Sequence, residues 1–220
     1  MDIVEEIIAR AKKTEHGFKD LQLCADELVS SRPPSTAKEI ALTLLRSEAH
    51  QARCVATFIL GRLAASNPDA LRIMRVKVSD DADWRVQEIL AKAFDQFCRD
   101  TGYEASLPVI REWLSAASPN TRRAVTEGLR IWTSRPYFRD NPTVAIALLS
   151  SHRGDGSEYL RKSVGNALRD ISKRHPELVR QEVLRWDLTR REVAQVYNLS
   201  TRFIAAPVST GAVARQADCA

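Results

Sequence analysis

Apolar residues recur along this chain at the spacing of an α-helix. Ile3, Ile7, Ile8 and Ala11 share one face over about residues 1–14, and Val86, Ile89, Leu90, Ala93, Phe94 and Phe97 do so further on. Alternating strand patterns and hairpin turns are absent. A residue-Pro step opens an apolar run three times, at Asn67-Pro68, Asn141-Pro142 and His175-Pro176. Proline suits the first turn of a helix, where its missing N–H has no partner to lose. Gly102 to Leu114 supplies an analogous helix between the first two.

Each of these helices runs into a short polar turn, at 78–83, 115–120 and 150–157, and then into a second helix beginning near Trp84, Thr121 and Glu158. Glu48 to Arg62 reads as an earlier copy. Helix pairs repeating every 34 to 40 residues predict an all-α chain, an α-solenoid of HEAT-like pairs whose second helices line a concave groove. The expected organisation is a HEAT-like repeat domain over 1–205, with capping helices in 1–35 and repeats in 36–205. One or two closing helices are expected between Trp186 and Phe203, followed by a disordered tail over 206–220. Ser31 to Ser35, with two prolines, breaks the chain after the second helix.

Charge adds a partner to this picture. Residues 1–110 hold 15 Lys+Arg against 17 Asp+Glu, whereas residues 111–202 hold 17 against 10. One basic half, in a chain with pI near 9.2, is the footprint of a polyanion binder. The plainer alternative is an ordinary solvated basic surface. No run approaches the ~20 apolar residues of a membrane helix. The N-terminus (Met1-Asp-Ile-Val-Glu-Glu) is acidic where a signal peptide is basic, so no membrane partner and a cytoplasmic location are expected. Four scattered cysteines and four scattered histidines give neither a disulfide framework nor a zinc pattern, so no metal site is expected.

Candidate chemistry lies on the second helices. Glu88, Glu127 and Asp170 occur in three successive repeats, each among arginines. With the small-apolar pairs Ala93-Phe94, Gly128-Leu129 and Ala167-Leu168 superposed, Glu88 falls at the position of Arg123 and Asp170 at that of Ile131. The three acids are then spaced four and four, one stripe on a helix face. Trp84 stands one turn before Glu88. Trp132 lies off that stripe and is expected to pack or to face the groove edge, while Trp113 and Trp186 are expected in the core. The plain reading of the acids is salt-bridge partners for the neighbouring arginines.

These segments resemble the AlkC/AlkD superfamily of bacterial HEAT-like-repeat DNA glycosylases. The resemblance rests on Asp83-Trp84-Arg85-Val86-Gln87-Glu88, on Arg122-Arg123-Ala-Val-Thr-Glu127-Gly128 and on Arg161 to Pro176, and covers roughly half the chain. It implies excision of cationic N3- or N7-alkylated purines from DNA, without metal or other cofactor. Three carboxylates place the chain nearer the AlkC branch. Trp84 and Glu88 keep the AlkD-like spacing with Glu for Asp, and Asn166 stands where AlkD-like proteins carry a tryptophan.

The resemblance makes Glu88, Glu127 and Asp170 the expected catalytic residues of a DNA N-glycosylase, with Trp84 and Asn166 at the substrate. Arg122, Arg123, Arg130, Arg161, Lys162, Arg169 and Lys173 are candidate contacts to the DNA backbone, about half of them expected to reach it. The expected partner is double-stranded DNA with alkylated bases, bound by a monomer. Two alternatives stand beside this expectation: a HEAT protein that binds nucleic acid without excision, and a protein-interaction scaffold.

Overall fold

The computed structural model describes residues 2–204, so the segment expected as a disordered tail lies outside the described residues. Thirteen α-helices and no strands are found among them. In chain order they are α1 (Ile3–Lys12), α2 (Lys19–Ser31), α3 (Pro34–Leu44), α4 (His50–Leu63), α5 (Pro68–Val76), α6 (Trp84–Thr101) and α7 (Leu107–Leu114). There follow α8 (Pro119–Gly128), α9 (Pro136–Asp140), α10 (Pro142–Ser150), α11 (Glu158–Ser172), α12 (Pro176–Val183) and α13 (Arg191–Ser200). Every helix opening at a residue-Pro step begins on the proline itself.

Local capping fixes the starts of α6, α8 and α11. Asp83 accepts a hydrogen bond from the Arg85 amide, Ser118 from that of Thr121 and Ser157 from that of Leu160. Each satisfies one of the amides that the first helical turn leaves without a partner.

The helices form two rows. Contacts run α2 to α4, α4 to α6, α6 to α8, α8 to α11 and α11 to α13, so the second helices pack directly on one another. Helices α3, α5, α7, α10 and α12 lie behind them: α3, α7 and α10 pack on the inner helix that follows, α5 and α12 on the inner helix that precedes. Rows joined closely on one side bend towards that side, which makes the inner row the concave one. Small residues set the approach. A methyl group on Gly61 would come within 2.6 Å of Ala93 Cβ, one on Gly165 within 2.7 Å of Leu199 Cβ, and one on Gly128 would strike the Ala91 carbonyl oxygen. At the joint of α8 with α11, Thr126 and Ser163 share a buried hydroxyl–hydroxyl hydrogen bond of 2.6 Å.

The fourth residue of α4, α8 and α11 ties each repeat to the next. Arg53 donates to the carbonyls of Ser47 and Glu48 and reaches Asp81 in the next repeat at 2.6 Å. Arg122 donates to the carbonyls of Ala116 and Ala117 at 2.6 and 2.8 Å and to Asp155 at 3.0 Å. Arg161 holds the carbonyls of Asp155 and Gly156 and reaches Gln195. Gln87 takes this place in α6, donating to the carbonyls of Val78 and Asp81. One side chain per repeat thus fixes its own entry turn, and each arginine also grips the repeat that follows.

The chain departs from the regular pattern after α8. That helix stops at Gly128, a 3₁₀ turn follows at Trp132–Ser134, and α9 intervenes before α10. Burial dictates the break. Trp132 is fully enclosed, edge-on to Phe138 with ring centroids 4.8 Å apart. Ile131, aligned from sequence with Asp170, therefore lies beyond the helix, and the expected four-and-four stripe is not carried on α8. Trp113 and Trp186 lie in the core as expected. A single helix, α13, closes the array where one or two were expected.

Candidate nucleic-acid interface

Three neighbouring inner helices carry the three carboxylates, Glu88 on α6, Glu127 on α8 and Asp170 on α11. Glu88 is partly exposed and lies 3.6 Å from the Arg123 guanidinium, which is itself almost buried. Arg123 also stacks over the Tyr159 ring at 4.3 Å and so spans α6, α8 and α11. Arg130, released from helical geometry by the early end of α8, lies between the other two acids. Its guanidinium is 3.5 Å from Glu127 and 3.3 Å from Asp170. Lys173 completes the set, 2.9 Å from the second oxygen of Asp170.

Asp170 is the most enclosed of the three acids, its side chain 9% exposed. Burial pushes its carboxyl up, but Lys173 and Arg130 outweigh that and hold it below the ordinary carboxylate range. It is therefore an anion at neutral pH. Trp84 stands at the start of α6 with 62% of its surface exposed and Arg85 5.4 Å from its ring. Tyr159 and Phe203 are also exposed, the latter with Lys173 at 5.5 Å from its ring. Asn166 is half-buried on α11, one turn before Asp170.

The basic residues separate into distinct environments. Arg122 and Arg161 are turned into the loops as the inter-repeat clamps described above. Arg123 and Arg130 sit among the acids. Lys162 forms an exposed pair with Glu158 at 2.8 Å. Lys173 is half-exposed even while paired, and Arg169 is half-buried on α11.

Sequence reasoning missed a second polar network beside this cluster. Asp95 is nearly buried and accepts hydrogen bonds from Tyr103, Arg99 and Arg135 at 2.9–3.0 Å. Its position one helical turn beyond Ala91, against the close approach of Gly128, was the available signal. Glu88, Glu127 and Arg130 open onto a cavity of about 310 Å³ whose wall continues to Asp95 and Arg135. Among the described residues no group of three or more His, Cys, Asp or Glu side chains is disposed to hold a metal ion. Among them, too, no helix is long and apolar enough to cross a membrane.

Comparison with known proteins agrees with this architecture. AlkD2 from Streptococcus mutans superposes with a TM-score of 0.89 at 46% identity, covering 92% of this chain and 99% of that one. The alkylpurine DNA glycosylase AlkC of Pseudomonas fluorescens, bound to DNA containing an abasic site analog, shares the fold at TM-score 0.64 and 20% identity. That match covers 90% of this chain and 56% of AlkC. The carboxylates had suggested the AlkC branch, but over the whole chain the likeness to AlkD2 is much the greater. The uncharacterized protein YhaZ of Bacillus subtilis is 34% identical over 87 residues, 38% of this chain and 24% of YhaZ, so the match spans about a quarter of that relative. Residues 19–196 match the family described as DNA alkylation repair enzyme. An inner row of helices presenting paired carboxylates, with a match running through all but its ends, establishes that the chain belongs to the DNA alkylation repair enzyme family.

Proposed function

We propose that the chain binds duplex DNA along its inner row and hydrolyses the N-glycosidic bond of cationic N3- or N7-alkylated purines. The observation that carries this reading is Asp170, an enclosed carboxylate kept ionised and joined through Arg130 to Glu127. An alkylated purine of this kind is already positively charged and leaves without being protonated. The C1′–N bond breaks with its electron pair passing to the base, and positive charge develops on the deoxyribose. A fixed carboxylate stabilises that charge, as in glycoside hydrolysis. Water forms the new C1′–O bond and gives its proton to a carboxylate and then to solvent. Asp170 and Glu88 are assigned to this step and Glu127 to the cationic base, with exposed Trp84 placed to stack on the base or sugar. Excision on this scheme requires Arg130 to yield part of its hold on Asp170.

One observation favours a second reading, duplex binding without excision. All three carboxylates already face a cation of their own chain, Glu88 at 3.6 Å, Glu127 at 3.5 Å and Asp170 at 2.9 Å. The field left for a cationic lesion is correspondingly weaker.

Release of free base from duplex carrying N-methylpurines separates the readings, with wild type compared against Asp170→Asn and Glu88→Gln. Release by wild type that collapses in Asp170→Asn supports hydrolysis. Duplex binding that weakens steeply with salt, with no base released, retires hydrolysis and leaves the second reading.

A further inference from the structure

The cavity beside the carboxylates has a composition that the excision scheme does not use. Its wall carries Arg62 from α4, Lys92 and Arg99 from α6, and Arg130 and Arg135 from the segment around and after the end of α8. Against these five cations stand three acids, Glu88, Asp95 and Glu127. Each acid is already answered by a cation: Glu88 by Arg123, Glu127 by Arg130, and Asp95 by both Arg99 and Arg135. Asp26 offsets Arg62 at 2.7 Å. One acid shared by two arginines leaves positive charge over. Lys92 adds to it, since among the described residues its ammonium has no ion-pair partner and stands 5.4 Å from the Phe18 ring.

We propose that this cavity is a phosphate site, taking a phosphodiester of a DNA strand held along the inner row. The proposal rests on the duplex-binding part of the proposed function and not on excision. Asp95 acts here as a positioning residue. Nearly buried and fixed from behind by the Tyr103 hydroxyl at 3.0 Å, it accepts one hydrogen bond from Arg135 Nη2 and one from Arg99 Nη2. Arg135 is mostly enclosed and also donates to the Gly128 carbonyl and the Ser134 hydroxyl, so it braces the wall. Arg99 is more than half exposed; held by Asp95 and by Gln96, it turns its remaining N–H groups outward in a fixed orientation, the geometry that pairs with phosphate oxygens. Lys92 supplies a mobile point charge on the same wall. The wall is too densely charged to receive an apolar base. The mouth opens beside Glu88 and Glu127, so a strand whose damaged residue met the carboxylates would have a neighbouring phosphate within reach. A free nucleotide offers the same phosphate chemistry, but continuity with the inner row favours the strand.

The test is the salt dependence of binding to undamaged duplex, measured for wild type, Lys92→Ala and Arg99→Ala. Arg111→Ala serves as control, an exposed residue on the outer helix α7. Loss of one phosphate contact lowers the slope of log K against log salt by about 0.9. A drop of that size in Lys92→Ala and in Arg99→Ala, absent from Arg111→Ala, is expected. Unchanged slopes in both, or no salt-dependent duplex binding by wild type, overturn the site. Titration with deoxyadenosine monophosphate and with inorganic phosphate tests the other source. Saturable nucleotide binding lost in Lys92→Ala, with the duplex slope unmoved, overturns the phosphodiester assignment. Base release, measured alongside, keeps the two proposals apart. Altered slopes without release leave the phosphate site and retire hydrolysis, and release with unaltered slopes does the reverse.

Discussion

Arg122 separates what the sequence suggests from what the fold demands. A basic residue beside Arg123 on an inner helix reads as a phosphate contact, yet its guanidinium is turned into the loop before α8. Arg122→Ala removes bonds to the carbonyls of Ala116 and Ala117 and to Asp155, whose side chain is only 11% exposed. Removing one partner of a buried charged pair costs about 3–5 kcal/mol. The lower end applies here, because the Ala117 carbonyl reaches water and Asp155 keeps the Ser157 amide at 2.9 Å. A loss of about 3 kcal/mol in a chain of this length corresponds to a Tm lower by roughly 6–12 °C. Urea unfolding followed by far-ultraviolet circular dichroism should show the midpoint falling with little change in slope. Arg122→Lys keeps the charge without the fork and should lose about half as much, ~1.5 kcal/mol. Lys162→Ala, which breaks only an exposed pair on α11, should move stability by less than about 0.5 kcal/mol. The salt slope of duplex binding should stay at the wild-type value in Arg122→Ala. A stability loss below about 1 kcal/mol, joined to a reduced salt slope, would refute the clamp and restore Arg122 to the DNA surface.

Two further outcomes follow from the packing and charge of the inner row. Gly128→Ala places a methyl group against the Ala91 carbonyl oxygen, and backbone on both sides cannot yield cheaply. It should cost at least about 2 kcal/mol by overpacking, whereas Gly156→Ala, into open space, should change little in the same unfolding assay. Asp170 has a folded pKa held below its unfolded value, so its stabilising contribution is complete above roughly pH 4 and is lost as pH falls through the folded pKa. Lys173→Met removes part of that hold and should move the acid-unfolding limb to higher pH; a limb that stays in place would show that Lys173 does not stabilise the anion.

How far the sequence could be read depended on whether local signals and burial agreed. Proline at the first helical position and the caps Asp83, Ser118 and Ser157 act within a few residues, so the helix starts and the HEAT-like pairing were legible. The end of α8 was not. Gly128 to Ser134 retains helical apolar spacing, and what breaks the helix is the enclosure of Trp132 against Phe138, a contact between segments. At the site, the recurrence of Glu88, Glu127 and Asp170 marked three acids that fall on neighbouring inner helices, each beside a cation. Their partners were less visible, because Arg130 reaches Asp170 only once α8 has ended. Arg122 and Arg161 resembled phosphate ligands for a related reason. A side chain's direction depends on the turn beneath it, and composition does not record that.

The glycines and small side chains along the inner row have a geometric meaning beyond packing. Each joint from α4 to α13 is a hinge of fixed pitch, and its setting is the distance at which Gly61, Gly128, Gly165 or the Thr126–Ser163 pair lets two backbones meet. The arc of the groove is therefore encoded at a handful of positions, none of which carries charge. Relatives with bulkier residues there would present the same acids and arginines on a flatter surface, fitted to a differently bent duplex.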